Sequence, residues 1–320
     1  MARKSQKRRK VLTTDRVSIL QLASGAARAV LLPSLGGSIG AFTVKDRPIL
    51  RATPDEALTD ANVRLASCYP LVPYSNRIRD ARLSFNGQTF PLTRNFGDSP
   101  HSIHGVGWQR PWRIEAATPT RATLALEHTA SDDAAPAWPW SFCARQTFDL
   151  AGDEVHACLT MTLTIANAGD SAFPYGLGWH PFFPRDPTTT LQFGATSVWR
   201  NDVTELPVER IAAQSAWSFR DPAPLGDATI DNVFVGWDGR ATVRSAPDTS
   251  VTVDADSACA CLVVYAPAGR DFLAIEPVTH ETDAFNRAAA GAQHTGIRVL
   301  APGAAYSCTM RIAASIARSP

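Results

Sequence analysis

Five stretches carry side chains that can move protons or hold oxygen atoms. "PYSNRIRD" contains Asn76 and Arg77, "HSIHGVGW" contains His101 and His104, and "GLGWHPFF" contains His180 next to Trp179. "IDNVFVGW" contains Asp231, and "AIEPVTHETDAFN" contains Glu276. His180 stands out, because a core is better served by an apolar residue than by an imidazole that needs hydrogen-bond partners. Taken singly, each has an ordinary reading: a surface arginine, loop histidines, an aspartate in a turn, a glutamate at an exposed strand end. Taken together they form the inventory of a carbohydrate site. Sugar hydroxyls need charged and amide groups that accept and donate, and aromatic faces pack against the C–H surface of the ring. A glutamate with a histidine is also a base with an acid, the pair that moves a proton off one oxygen and onto another. A metal is the competing use of His101, His104, His180 and Glu276. The lone His-x-x-His lacks the helical zinc signature, so no metal is expected.

These residues must be positioned by strands, because the dominant period is two. In "VHACLTMTLTIANAG" Val155, Ala157, Leu159, Met161, Leu163 and Ile165 alternate with polar residues, which predicts a half-buried strand with His156 on its outer face. "RATLALEHTA" and "YSCTMRIAA" alternate in the same way, and "CLVVYAP" and "FLAIEP" read as short strands ending at prolines. Asn86-Gly87 predicts a hairpin turn. Two short helices are expected, near 53–61 and 207–216. With 23 prolines and 20 glycines and no fixed repeat, the class is all-β: one antiparallel domain over 11–320, after a basic, disordered tail at 1–10.

The tail "MARKSQKRRK" holds six of the 31 basic residues; without it 25 basic residues face 30 acidic ones, a net of −5. A mildly acidic body argues against a nucleic-acid backbone binder. No apolar run is long enough to span a membrane, and Asp15 and Arg16 interrupt any signal-peptide core. The six cysteines include no Cys-x-x-Cys pair and are expected to be reduced, which places the protein in the cytoplasm.

The order of these motifs resembles the aldose 1-epimerase (galactose mutarotase) family. "SNRI", "IHGVGW", "WHPFF", "DNVF" and "EPVTHETDAFN" are similar to five family elements in the family's order, from about residue 15 to 312. The resemblance implies a large β-supersandwich with an open cleft, and cofactor-free interconversion of the anomers of a free aldose. It implies catalytic roles for Glu276 as base on the C1 hydroxyl, His180 as acid on the ring oxygen, and His104 near that oxygen. Arg77 and Asp231 would position hydroxyls, with Asn76, His101 and Trp179 as further substrate contacts. Trp179 and the phenylalanines would keep His180 dry. The expected partner is a small-molecule sugar, with no nucleic acid or membrane, and the chain is expected as a monomer or homodimer. Gly105-Val106-Gly107 and "NFGDSPHS" depart from the family pattern, so the sugar is open. A related branch acts on hexose 6-phosphates, for which Arg79, Arg82 and Arg110 are candidates; a non-catalytic sugar-binding protein of the same fold is the other alternative. At Glu276, burial and neighbouring cations are expected to offset in part, giving an acid limb from Glu276 and an alkaline limb from His180.

Overall fold

The two-residue period becomes strand pairing over most of the chain. The computed structural model describes residues 12–14, 17–131, 133, 136–245 and 249–317; the basic segment 1–10 lies outside the described residues. Among the described residues there are two large antiparallel sheets, of twelve and nine strands. In the smaller sheet His156–Asn167 pairs along its length with both Phe142–Gly152 and Ala305–Ile316. Its inward residues Leu159, Met161, Leu163 and Ile165 share one core with Leu22, Ala29, Leu31 and Phe42 of the larger sheet. Burial of each large side chain there contributes about 1.5–3 kcal/mol. His156 is exposed, as the alternation requires.

The centre of the larger sheet is apolar on both faces. Its strands Cys68–Leu71, Gly178–Pro184, Phe272–Val278, Cys261–Ala266 and Ile230–Val235 lie side by side in that order. Alternation sends Trp179, Phe183, Leu273, Ile275, Leu262 and Val264 into the core between the sheets. It sends Tyr69, Phe182, Ala274, Val263 and Val233 to the opposite face. That second face carries the cleft.

Asn86 and Gly87, at φ 50° and 74°, turn the hairpin Arg82–Phe85/Gln88–Pro91 as the sequence predicts. The helix expected near 53–61 is Asp55–Thr59. The helix expected near 207–216 is instead a strand, Pro207–Ala212, paired with Ser197–Asn201 at the edge of the larger sheet. An edge strand tolerates its opening proline, and Val198–Ile211 and Arg200–Glu209 pair across the ladder. The strand at "FLAIEP" runs through Pro277 to Val278. None of the helices among the described residues is long and apolar enough to cross a membrane.

Candidate active site

His180 and Glu276 lie opposite one another in the sheet. Gly178 pairs with Val278 and Phe182 with Ala274, and the same register between these pairs sets His180 against Glu276. Each is followed by a proline, Pro181 or Pro277, which holds the preceding residue extended and brings no N–H to the ladder. Directly opposed side chains on one face of a sheet are in reach of each other. Here His180 Nε2 and Glu276 Oε1 are 3.2 Å apart, and both residues are buried. Tyr69, opposite His180 on the other side, and Phe182 cover the imidazole, with ring centroids 4.8 and 4.4 Å from it. These two rings keep His180 dry. Trp179 does not, because its side chain points to the core between the sheets.

Two loops close over this row. Asn76 (φ 57°) and His104 (φ 61°) are both left-handed, and their backbones are tied reciprocally: His104 N–H donates to Asn76 O and Asn76 N–H donates to His104 Nδ1, each at 3.0 Å. Since Nδ1 accepts, the neutral imidazole carries its proton on Nε2, and His104 lines the cleft. Gly105 makes this possible. At φ 69°, a Cβ there would lie 2.4 Å from Val72 O, which accepts from the N–H groups of Val106 and Gly107.

Arg77 lies over the same cleft. Its Nη1 donates to Asn76 Oδ1 at 3.1 Å, and Nη2 pairs with Glu205 and, at 3.5 Å, with Asp231 Oδ2. Asp231 reaches it from the strand Ile230–Val235, two residues from Val233 on the same face. The cleft has a volume of about 560 Å³. It brings together Asn76, Arg77, His104, His180, Asp231 and Glu276 from the expected set. Two expected contacts do not line it. Trp179 is on the other face, and His101 is buried beneath the turn after Arg77, its Nδ1 accepting from Asp80 N–H at 3.0 Å. The arginines considered for a phosphate, Arg79, Arg82 and Arg110, do not line it either; Arg79 pairs with Asp283. Of the phenylalanines expected to cover His180, Phe182 does so and Phe183 lies in the core between the sheets; sequence reasoning missed Glu205, Tyr69 and Arg51. Glu205 sits in a loop pinned by Asp202 and carries no periodic signal. Tyr69 could have been found only through its pairing with the His180 strand.

The aldose 1-epimerase family model matches residues 18–313, nearly all of the chain. The chain belongs to the aldose 1-epimerase family. The uncharacterized protein YphB of Escherichia coli K12 is 29% identical over 287 residues, covering 87% of this chain and 92% of that protein. A crystal structure of an Escherichia coli K12 protein superposes with a TM-score of 0.83 at 26% identity, over 94% of this chain and 100% of the other. A galactose mutarotase-like protein from Clostridium acetobutylicum shares the fold, with a TM-score of 0.79 at 18% identity over 94% and 96% of the two chains.

Within this epimerase fold the electrostatics of the cleft are set by burial. Desolvation pushes Glu276 well above the usual carboxylate range; the charge of Asp231 adds to this and Arg77 opposes it. His180 is pushed down to about 3, first by burial and then by the charges of Arg51 and Arg77. His104 is held well below the ordinary imidazole value by burial, with His180, Arg77 and His280 acting in the same direction. Asp231 is raised by burial, against the pull of Arg77. Burial therefore outweighs the compensation expected from sequence. Burial thus disfavours the charged form of both partners, raising Glu276 and lowering His180.

Proposed function

We infer that this chain interconverts the α and β anomers of an aldose by acid–base ring opening and closure. The observation that carries the reading is the close approach of Glu276 and His180 at the floor of the cleft, with Nε2 and Oε1 3.2 Å apart. Anomerisation takes a proton from the C1 hydroxyl and gives one to the ring oxygen, two atoms bonded to the same carbon. A couple holding one proton supplies both functions at once. In the reacting state the proton of the couple sits on His180 and Glu276 is the carboxylate; Arg77 favours that carboxylate, while burial and the charges of Arg51 and Arg77 oppose the imidazolium and make it a strong acid. Glu276 then takes the C1 hydroxyl proton while His180 donates to the ring oxygen. The C1–O5 bond breaks, the aldehyde forms, C1 turns about its bond to C2, and the steps reverse on the other face. No net oxidation occurs, so the scheme has no redox cofactor. His104 offers its Nε2–H to a sugar oxygen, and Arg77 and Asp231 hold hydroxyls.

The test is polarimetric or NMR relaxation of freshly dissolved anomers. The wild type should accelerate the approach to equilibrium for at least one aldose. Sugar binding by calorimetry without any acceleration would replace this reading with that of a carbohydrate-binding protein.

A further inference from the structure

Arg51, Arg64 and Arg270 line the cleft together with the acid–base couple, yet none forms an ion pair with any described residue. The carboxylates of the cleft are otherwise engaged: Glu205 and Asp231 face Arg77, and Glu276 faces His180. Asp271 is close enough to act on the charge of Arg51, but it does not pair with it.

Arg51 and Arg64 are held by stacking and hydrogen bonding, and the exposed Arg270 lines the same cleft. Arg51 Nη2 donates to Ala66 O at 3.1 Å, next to the short turn Val63–Leu65 that carries Arg64. Its Cζ lies 4.0 Å from the ring centre of Phe182 and 4.5 Å from that of Phe272, two residues after Arg270. Arg64 lies 4.0 Å over Phe96 in the same manner. Stacking uses the face of a guanidinium and leaves its N–H edge free for in-plane bonds to an oxyanion. Arg64 and Arg270 donate no side-chain hydrogen bond to any described residue, and the buried Nε of Arg51 has no partner among them. Three like charges in one partly dry cleft repel each other unless an anion is bound. Phe182 is two residues beyond His180 on the same face, roughly 7 Å along the strand. That is about the width of a pyranose ring, so a sugar with its anomeric centre at the couple brings a ring substituent to Arg51.

We propose that Arg51, Arg64 and Arg270 form a subsite for an anionic group on the aldose, a phosphate ester or a carboxylate. This rests on the anomer-interconversion reading and narrows its substrate class. The arginines singled out in the sequence were the wrong ones; these three act from elements that only the fold brings together.

The test compares glucose 6-phosphate, glucuronate, glucose and galactose as substrates of the full chain. Binding of each is also measured by calorimetry. The kcat/KM for one of the charged sugars should exceed that for the neutral ones. Arg64→Gln and Arg270→Gln, both at exposed positions, should each lower that charged-to-neutral ratio about tenfold. Added salt should lower it as well. Which charged sugar is preferred separates the phosphate from the carboxylate. If neutral sugars are turned over as well as charged ones, or if the ratio in both variants equals that of the wild type, the subsite is wrong. If no sugar is turned over but the charged one binds through these arginines, the subsite stands and the epimerase reading falls.

Discussion

At the scale of single residues, the question is where the proton of the Glu276–His180 couple resides. The sequence leads to an expected acid limb from Glu276 and an alkaline limb from His180. The buried geometry reverses that order. Glu276 is raised and His180 lies at about 3, so burial widens the pH range over which the couple holds one proton. Activity is lost on the alkaline side when this proton leaves, and on the acid side when a second one arrives; both limbs belong to the couple. The kcat/KM profile should fall on its alkaline side as the proton of the raised Glu276 leaves, at a pH above the ordinary carboxylate range. In Glu276→Gln the residual activity should have no alkaline limb, and an unchanged limb there would assign the titration to another group. Glu276→Gln and His180→Asn should each reduce kcat by roughly 10²–10⁴ with little change in KM. Near wild-type relaxation in either variant would remove that residue from the chemistry.

At the scale of elements, the loops that hold His104 and Asn76 depend on one glycine. Gly105→Ala forces a side chain into a left-handed backbone and against Val72 O. Gly87 has a similar φ of 74° but nothing within 4 Å of an added Cβ. Gly105→Ala should therefore cost about 1–3 kcal/mol more in denaturant unfolding than Gly87→Ala, and should lower kcat as His104 shifts. Equal losses in the two variants would show that the close approach to Val72 O does not matter. Strand identity was legible in the sequence because alternation is local: Leu159 to Ile165 announce their face without reference to any partner. Six of the eight expected site residues line the cleft, because the motifs that carry them are short and sit at strand ends or loops. The register that opposes His180 and Glu276 was not legible, since it joins strands far apart in the chain. Glu205 was not legible either, because a loop residue leaves no periodic trace. The segment 207–216 read as helix, yet pairing at the sheet edge makes 207–212 a strand.

At the scale of the whole molecule, buried histidines link stability to acidity. His180 at about 3, His280 at about 4 and His104 well below its ordinary value all refuse protons in the folded state because burial disfavours the imidazolium. In the unfolded chain each titrates near 6.5. Between about pH 6.5 and 4 the unfolded chain thus binds protons that the folded one does not, and stability falls as pH falls through that window. Glu276 acts with the opposite sign. Its folded value is raised, so the folded state holds a proton that the unfolded carboxyl releases above about pH 4.5. His101 and His128 are lowered as well, and Asp231 and Asp283 are raised, so five histidines that take up protons on unfolding stand against three carboxyls that release them. The expected slope is a loss of stability as pH falls below about 6.5, at about 1.4 kcal/mol per pH unit for each net proton taken up. Denaturant unfolding at a series of pH values from 7 to 4.5 measures this slope, and calorimetry in buffers of different ionisation enthalpy counts the protons. A stability that stays level or rises as pH drops from 6.5 to 5 would mean that these imidazoles are protonated inside the fold. The couple in the free cleft would then be an ion pair before any sugar binds.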